Sequence, residues 1–216
     1  MKIAGIDEAG RGPIIGPMIM AVVVADEKDE DTLREWGVKD SKLLTPMMRE
    51  GLFERIKEKY KHAIIILSPQ DIDDALNDPN NNLNWLEAQT SAKLLSKIKA
   101  KKAYLDCPST NVEAYNNYVK KLVKNIEIVS EHGADATYPV CSAASILAKV
   151  TRDREIEKLK QKINKNFGSG YPSDPRTQEF LKKYYDKPEG KGIIRTSWET
   201  YKKLVNSKKQ SKLNSF

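Results

Sequence analysis

The opening stretch, residues 1–25, constrains the fold most. Lys2 to Ile6 is a short apolar segment, and Asp7 and Glu8 close it. Gly10-Arg11-Gly12-Pro13 then turns the chain, and Met18 to Ala25 follows as an unbroken apolar run rich in β-branched residues. Such a run is far too short to span a bilayer and reads as a central strand buried on both faces. The glycine- and proline-rich loop lets Lys2–Ile6 pair beside it. The chain therefore commits early to a covered sheet.

The remaining pattern alternates. Asp29 to Trp36 reads as one or two helical turns. Thr45-Pro46 supplies an N-cap and a proline at the first helical position, opening a helix to about Tyr60. His62 to Leu67 is predicted to be another buried strand, and Gln70 to Leu76 a short helix. Asn77 to Asn82 is a turn-rich break, followed by an amphipathic helix over Leu83 to Lys99. Lys102 to Asp106 is a strand ending in a carboxylate, Asn111 to Val123 a helix, and Ile126 to Ser130 a strand. Glu131 to Asp135 reads as a loop. From Val140 to Asn164 the spacing is helical, first small and apolar, then charged. Phe167 to Pro175 is a rigid turn, with helices expected over Arg176 to Tyr185 and Trp198 to Val205. Early adjacent strands followed by strand–helix alternation give an α/β layered domain. The expected division is an α/β domain over 1–165, a small helical appendage over 166–206 and a flexible basic tail over 207–216.

With 216 residues, 39% hydrophobic and 31% charged, the chain can bury a substantial core. Its net charge of +7 favours a polyanionic partner, nucleic acid first, although lysine-rich chains also carry charge merely for solubility. Cys107 and Cys141 form no C-x-x-C pair, so a zinc knuckle or redox motif lacks support. No secretory h-region with a cleavage site stands at the start, and a reduced, cytoplasmic setting without membrane association is expected.

Four carboxylates fall at comparable places: Asp7 and Glu8 at one strand end, Asp106 at another, and Asp135 just before a helix. Active sites of open α/β sheets gather beyond strand ends. If the four meet there, they cannot all stay ionised in a dry site without a cation. Mg²⁺ or Mn²⁺ suits an all-oxygen donor set, and two ions about 3.5–4 Å apart would clamp an in-line phosphoryl displacement. Taken singly, each acid reads more simply as a cap or solvated loop residue. Gly10-Arg11-Gly12-Pro13 is neither a dinucleotide fingerprint nor a P-loop. It reads equally as a structural turn and as a loop whose amides and Arg11 guanidinium approach a phosphate. Asp40-Ser41-Lys42 caps the next helix and can present Lys39 and Lys42 to a backbone. Tyr171, between Gly170 and Pro172, can stack on a sugar or simply pack. His132 reads first as a loop residue and second as a proton-transfer group.

These segments together resemble ribonuclease HII, the type 2 ribonuclease H family, and most closely its monomeric archaeal form. The resemblance is carried by Asp7-Glu8-Ala9-Gly10-Arg11-Gly12-Pro13, Asp40-Ser41-Lys42, Asp106, Ala134-Asp135 with the helix Ser142 to Val150, and Gly168 to Pro175, in the correct order. It implies an RNase H-like fold, a central mixed β-sheet flanked by helices with a small C-terminal helical appendage. It implies divalent-metal-dependent endonucleolysis of RNA in RNA–DNA hybrids. Incision 5′ to single ribonucleotides embedded in duplex DNA, leaving 3′-hydroxyl and 5′-phosphate ends, is implied as well. By position Asp7, Glu8, Asp106 and Asp135 correspond to the metal-binding catalytic carboxylates. Gly10, Arg11 and Gly12 correspond to the loop that reads the ribose 2′-hydroxyl, and Tyr171 to the tyrosine that stacks on the junction sugar. Lys39, Lys42, Ser142, Ser145 and Lys149 are further substrate-contact candidates. Cys107 departs from the glycine common in relatives. The tail Gln210 to Phe216 loosely suggests a sliding-clamp docking peptide. A non-catalytic hybrid-binding module and another RNase H-like nuclease are the competing readings.

Overall fold

The computed structural model describes residues 1–38 and 44–213, the last three as backbone only. Five strands, β1 (Lys2–Ala9), β2 (Met18–Asp26), β3 (Lys61–Leu67), β4 (Lys102–Asp106) and β5 (Glu127–Glu131), form one mixed sheet in the order β3-β2-β1-β4-β5. The first two pair antiparallel, from Lys2 opposite Asp26 to Ala9 opposite Ile19. Then β4 lies parallel to β1, with Leu105 opposite Ile6, and β5 lies parallel to β4. The helices are α1 (Glu30–Glu35), α2 (Pro46–Lys59), α3 (Pro69–Asn77), α4 (Leu83–Ser96), α5 (Val112–Leu122), α6 (Ala134–Thr137), α7 (Pro139–Ile163), α8 (Pro175–Tyr184) and α9 (Glu199–Leu213).

Local chemistry accounts for most boundaries. Thr45 Oγ1 accepts from Met48 N at the start of α2, Ser68 from Asp71 N in a capping box on α3, and Asn82 Oδ1 from Trp85 N on α4. Four expectations shift. β3 sits at the sheet edge instead of being buried, and Ile66 is 47% exposed. An apolar run fixes strand type but not strand position. α4 stops at Ser96, short of Lys99. Asp135 lies inside the four-residue α6 instead of in a loop. The last helix runs to Leu213, so residues 207–213, expected as a flexible tail, have helical backbone. Lysine-rich sequence has good helix propensity, and Lys203 pairs with Glu199 one turn back.

The described chain sorts into two compact units. One comprises Met1–Ala9, Ile19–Ile66 and Asn82–Arg152; the other comprises Gly10–Met18, Leu67–Asn81 and Asp153–Phe216. These units interleave along the chain, where the expected division followed it in order as 1–165, 166–206 and 207–216. The first holds the sheet and the core formed by Ile19, Val23, Phe53, Ile56 and the start of α7. Gly5 is required there: a Cβ would lie 2.3 Å from the Val140 carbonyl carbon, so only glycine lets α7 approach β1 this closely. Ala143, Ala144 and Ala148 continue that close packing and are fully buried. In the second unit, Ile14, Ile15, Phe167, Phe180, Leu181, Ile193 and Ile194 form a separate core, with Phe167 edge-on to Phe180.

Candidate functional site

In the first unit the parallel register decides where the acids meet. Ile6 pairs with Leu105, so Asp7 on β1 and Asp106 on β4 are the next residues at the same sheet end. Successive side chains alternate faces along a strand, yet Glu8 at the end of β1 still reaches the group. Asp7, Glu8 and Asp106 each offer a carboxylate oxygen within 4.8 Å of the others. Asp135 does not join that set, although its charge acts on Asp106.

The cluster is held from its own unit. Asp7 is 5% exposed; its Oδ1 accepts from Glu8 N at 2.7 Å, and Ser145 donates to its side chain. Asp106 Oδ1 accepts from Ala134 N at 3.1 Å, at the start of α6. The Gly133 left-handed turn that begins α6 (φ 67°) aims this amide. Burial, and then the neighbouring Glu8 and Asp106 charges, push the Asp7 carboxyl well above the usual carboxylate range. Burial raises Asp106 too, with Asp135 adding to the effect against three backbone amides. A buried acid raised by other acids is a site short of positive charge. Three hard oxygen donors converging there fit a divalent cation of the Mg²⁺ or Mn²⁺ type.

The other candidates fall differently. Ser142 and Ser145 are buried on α7 and offer no surface to a substrate; Ser142 Oγ donates to the Asp135 carbonyl and Ser145 supports Asp7. Lys149 is half-buried on the same helix. Lys39 and Lys42 lie outside the described residues. His132 Nδ1 faces the Cys107 carbonyl at 2.9 Å, and Cys107 is buried.

In the second unit, Gly10 has φ 84°, a conformation natural to glycine, and Gly12 is exposed. Tyr171 stands beside that loop: a Cβ on Gly12 would lie 3.6 Å from its ring. The tyrosine is 41% exposed. Its turn is fastened by Gly170 O, which accepts from Ile14 N at 2.8 Å and Ile15 N at 3.2 Å. It is fastened again by Asp174, which accepts from Ser169 N and Arg176 N. Two participants escaped sequence reasoning, Arg195 and Asp73, whose bonds reach this loop directly and through the Thr196-Ser197 turn. Nothing in the residue pattern marks them, since a lone arginine after two isoleucines and an aspartate within a helix are ordinary surface residues.

The sequence profile of the family described as ribonuclease HII matches residues 4–201. A ribonuclease HII of Pyrococcus furiosus is 47% identical over 220 residues, covering 98% of this chain and 95% of the relative. The crystal structure of the ribonuclease H2 from Pyrococcus horikoshii OT3 superposes with a TM-score of 0.86 at 46% identity, covering 96% of this chain and 98% of that one. A second similar structure is that of the PCNA:RNase HII complex from Archaeoglobus fulgidus, with TM-score 0.85, 39% identity, and 92% and 96% coverage. A ribonuclease HIII solved in complex with Mn²⁺ shares the fold at 20% identity, with TM-score 0.78 over 97% of this chain and 71% of that one. The expected RNase H-like architecture, a mixed sheet flanked by helices, is the one observed.

Proposed function

The chain belongs to the ribonuclease HII family, and from that premise we propose that it incises duplex DNA 5′ to a single embedded ribonucleotide, leaving 3′-hydroxyl and 5′-phosphate ends. Membership makes it a hydrolase, a divalent-metal-dependent endoribonuclease of the RNase H type acting on RNA in RNA–DNA hybrids. The observation that carries the reading is the convergence of Asp7, Glu8 and Asp106 at adjoining ends of parallel strands.

We assign metal holding to Asp7, Glu8 and Asp106, with Asp135 as the fourth carboxylate. Divalent cations, two during turnover and either Mg²⁺ or Mn²⁺, would supply Lewis-acid stabilisation of the phosphoryl group under in-line displacement. The protein's own residues fix the donors. Ser145 and the Glu8 amide orient Asp7, the Ala134 amide orients Asp106, and Ser142 ties down the backbone of Asp135. Gly10, Arg11 and Gly12 are assigned to the ribose 2′-hydroxyl and its phosphate, since that hydroxyl alone separates RNA from DNA. Tyr171 is assigned to the junction sugar. Lys39, Lys42 and Lys149 would contribute phosphate contacts without sequence preference. The enzyme is read as a cytoplasmic monomer. Clamp contact is supported by the PCNA complex of the Archaeoglobus relative; Gln210–Phe216, whose last three residues lie outside the described ones, is assigned as its docking segment.

The test is incubation with duplex DNA carrying one ribonucleotide, in Mg²⁺ or Mn²⁺, followed by end analysis. Incision immediately 5′ to the ribonucleotide is expected. A folded protein that leaves this duplex intact while cutting long hybrid would overturn the single-ribonucleotide reading.

A further inference from the structure

Arg195 is the largest fully buried side chain of the described residues, at 0% exposure. Burying a guanidinium is costly unless its donors are taken up. Here Nη2 donates to Gly10 O at 2.6 Å, Nη1 to Arg11 O at 2.9 Å and Nε to Gly16 O at 3.0 Å. The backbone N of Arg195 donates to Ile14 O at 2.8 Å. Its guanidinium lies 4.8 Å from the Trp198 ring centre, and Trp198 Nε1 donates to Gly12 O at 3.2 Å. The loop carbonyls at Gly10, Arg11, Gly12, Ile14 and Gly16 thus all face one short segment.

That segment is itself fixed. Asp73 on α3 is 5% exposed and accepts from Thr196 N at 2.7 Å, Thr196 Oγ1 at 2.7 Å, Ser197 N at 2.9 Å and Ser197 Oγ. One buried carboxylate therefore sets the turn that follows Arg195.

Peptide geometry gives this clamp a direction. In a trans peptide the C=O of one residue and the N–H of the next point in opposite senses, and the described chain has no cis peptide. Binding the Gly10 and Arg11 carbonyls to Arg195 therefore turns the Arg11 and Gly12 N–H groups away from it. Gly12 is the exposed residue of the loop, beside Tyr171. Had the peptides flipped, carbonyls would face outward, and two donors for an oxygen ligand would become two acceptors.

We propose that Arg195, set by Asp73, is the positioning residue for ribose recognition: it holds the loop's carbonyls inward so that the Arg11 and Gly12 amides face the 2′-hydroxyl and its phosphate. The proposal rests on the ribonuclease reading above. Arg195 touches no substrate in it; it selects which edge of the loop is offered.

Arg195→Lys places one compact ammonium where a planar fork met three carbonyls; Arg195→Ala removes the fork, and Asp73→Asn weakens its anchor. Each is checked for folding by thermal melting. The readout is the ratio of affinities for a duplex with one ribonucleotide and the identical all-DNA duplex, in Ca²⁺ to suppress cleavage. Mn²⁺ binding measured by calorimetry serves as the control for the carboxylates. The expected result is a fall in the ratio of about tenfold to hundredfold, with Mn²⁺ binding unchanged. Ethylguanidinium added to Arg195→Ala is expected to restore part of the ratio. A folded Arg195→Lys or Asp73→Asn protein that discriminates as well as the unaltered one overturns the proposal alone. An unaltered protein that does not discriminate overturns the single-ribonucleotide reading and the proposal with it.

Discussion

Asp7 and Arg195 are both buried charges, and the two units treat them in opposite ways. Around Asp7, burial first and the neighbouring Glu8 and Asp106 charges next drive the carboxyl toward its neutral form, against the Ser145 hydroxyl and the Glu8 amide. Around Arg195 the neighbours are backbone carbonyls that take up the guanidinium donors one by one. Among the described residues, the first region gathers carboxylates held by amide and hydroxyl donors. The second is satisfied within the protein. Gathered carboxylates suit a cation; a guanidinium whose donors are taken up by carbonyls is scaffolding that sets the shape of something else.

The contrast breaks most visibly at Asp106. Asp106→Asn keeps size and can still accept from the Ala134 amide, but it removes a charge from the cation site. Loss of a metal-stabilised transition state is worth several kcal/mol, so single-turnover cleavage of a hybrid in Mg²⁺ should drop about 10³-fold or more. Binding of the hybrid in Ca²⁺ should persist, and joint loss of both in a folded protein would point away from a metal role. The next effect in size belongs to the second unit. Tyr171→Ala removes an exposed ring beside Gly12, and aromatic stacking is worth about 1–3 kcal/mol. The expected outcome is about a tenfold to hundredfold weaker Kd for ribonucleotide-bearing duplex, read by fluorescence anisotropy. Mn²⁺ binding should not change.

Stability sharpens the same comparison with the opposite sign. Asp7→Asn relieves a buried carboxylate crowded by Glu8 and Asp106. In metal-free protein the variant should melt higher than the unaltered protein. Added Mn²⁺ should raise the Tm of the unaltered protein and barely move that of the variant. Differential scanning calorimetry with and without the ion checks both halves. A variant that melts lower in the absence of metal would show that Asp7 is satisfied after all.

Legibility followed the same divide. Asp7, Glu8 and Asp106 could be read because acids at strand ends are a sequence pattern, and the β1–β4 register converts that pattern into proximity. The Met18–Asp26 strand, the small-residue face of α7 and the capped start of α2 were legible for similar local reasons. What stayed hidden depends on chain segments far apart in sequence. The edge position of β3 follows from strand order, which hydropathy does not encode. The pairing of Gly10–Gly16 with Ile193–Trp198 joins residues nearly the whole chain apart, and on the loop side it uses only backbone atoms that every residue type shares. Asp73 takes up Thr196 and Ser197 across a shorter gap, still more than half the chain.

The smallest expected effect tests whether the Tyr171 turn is as self-contained as the Arg195 clamp. Asp174 caps α8 and accepts from Ser169 N at 2.8 Å and Arg176 N at 2.9 Å, with the Arg176 guanidinium beside it. The Ser169 amide first, and Arg176 next, hold its carboxyl well below the usual carboxylate range. A depressed acid stabilises the fold above its unfolded pKa, and that contribution is lost as pH falls through the folded one. The Tm of the unaltered protein should therefore carry an acid-side decline, below about pH 4, that Asp174→Ala lacks. At neutral pH the variant should melt slightly lower and exchange its Ser169 amide faster, since that donor has lost its acceptor. Cleavage should fall less than in Tyr171→Ala, because the ring remains and only its tether loosens. Equal loss in the two variants would mean that the turn's rigidity, and not the ring itself, is what the substrate requires.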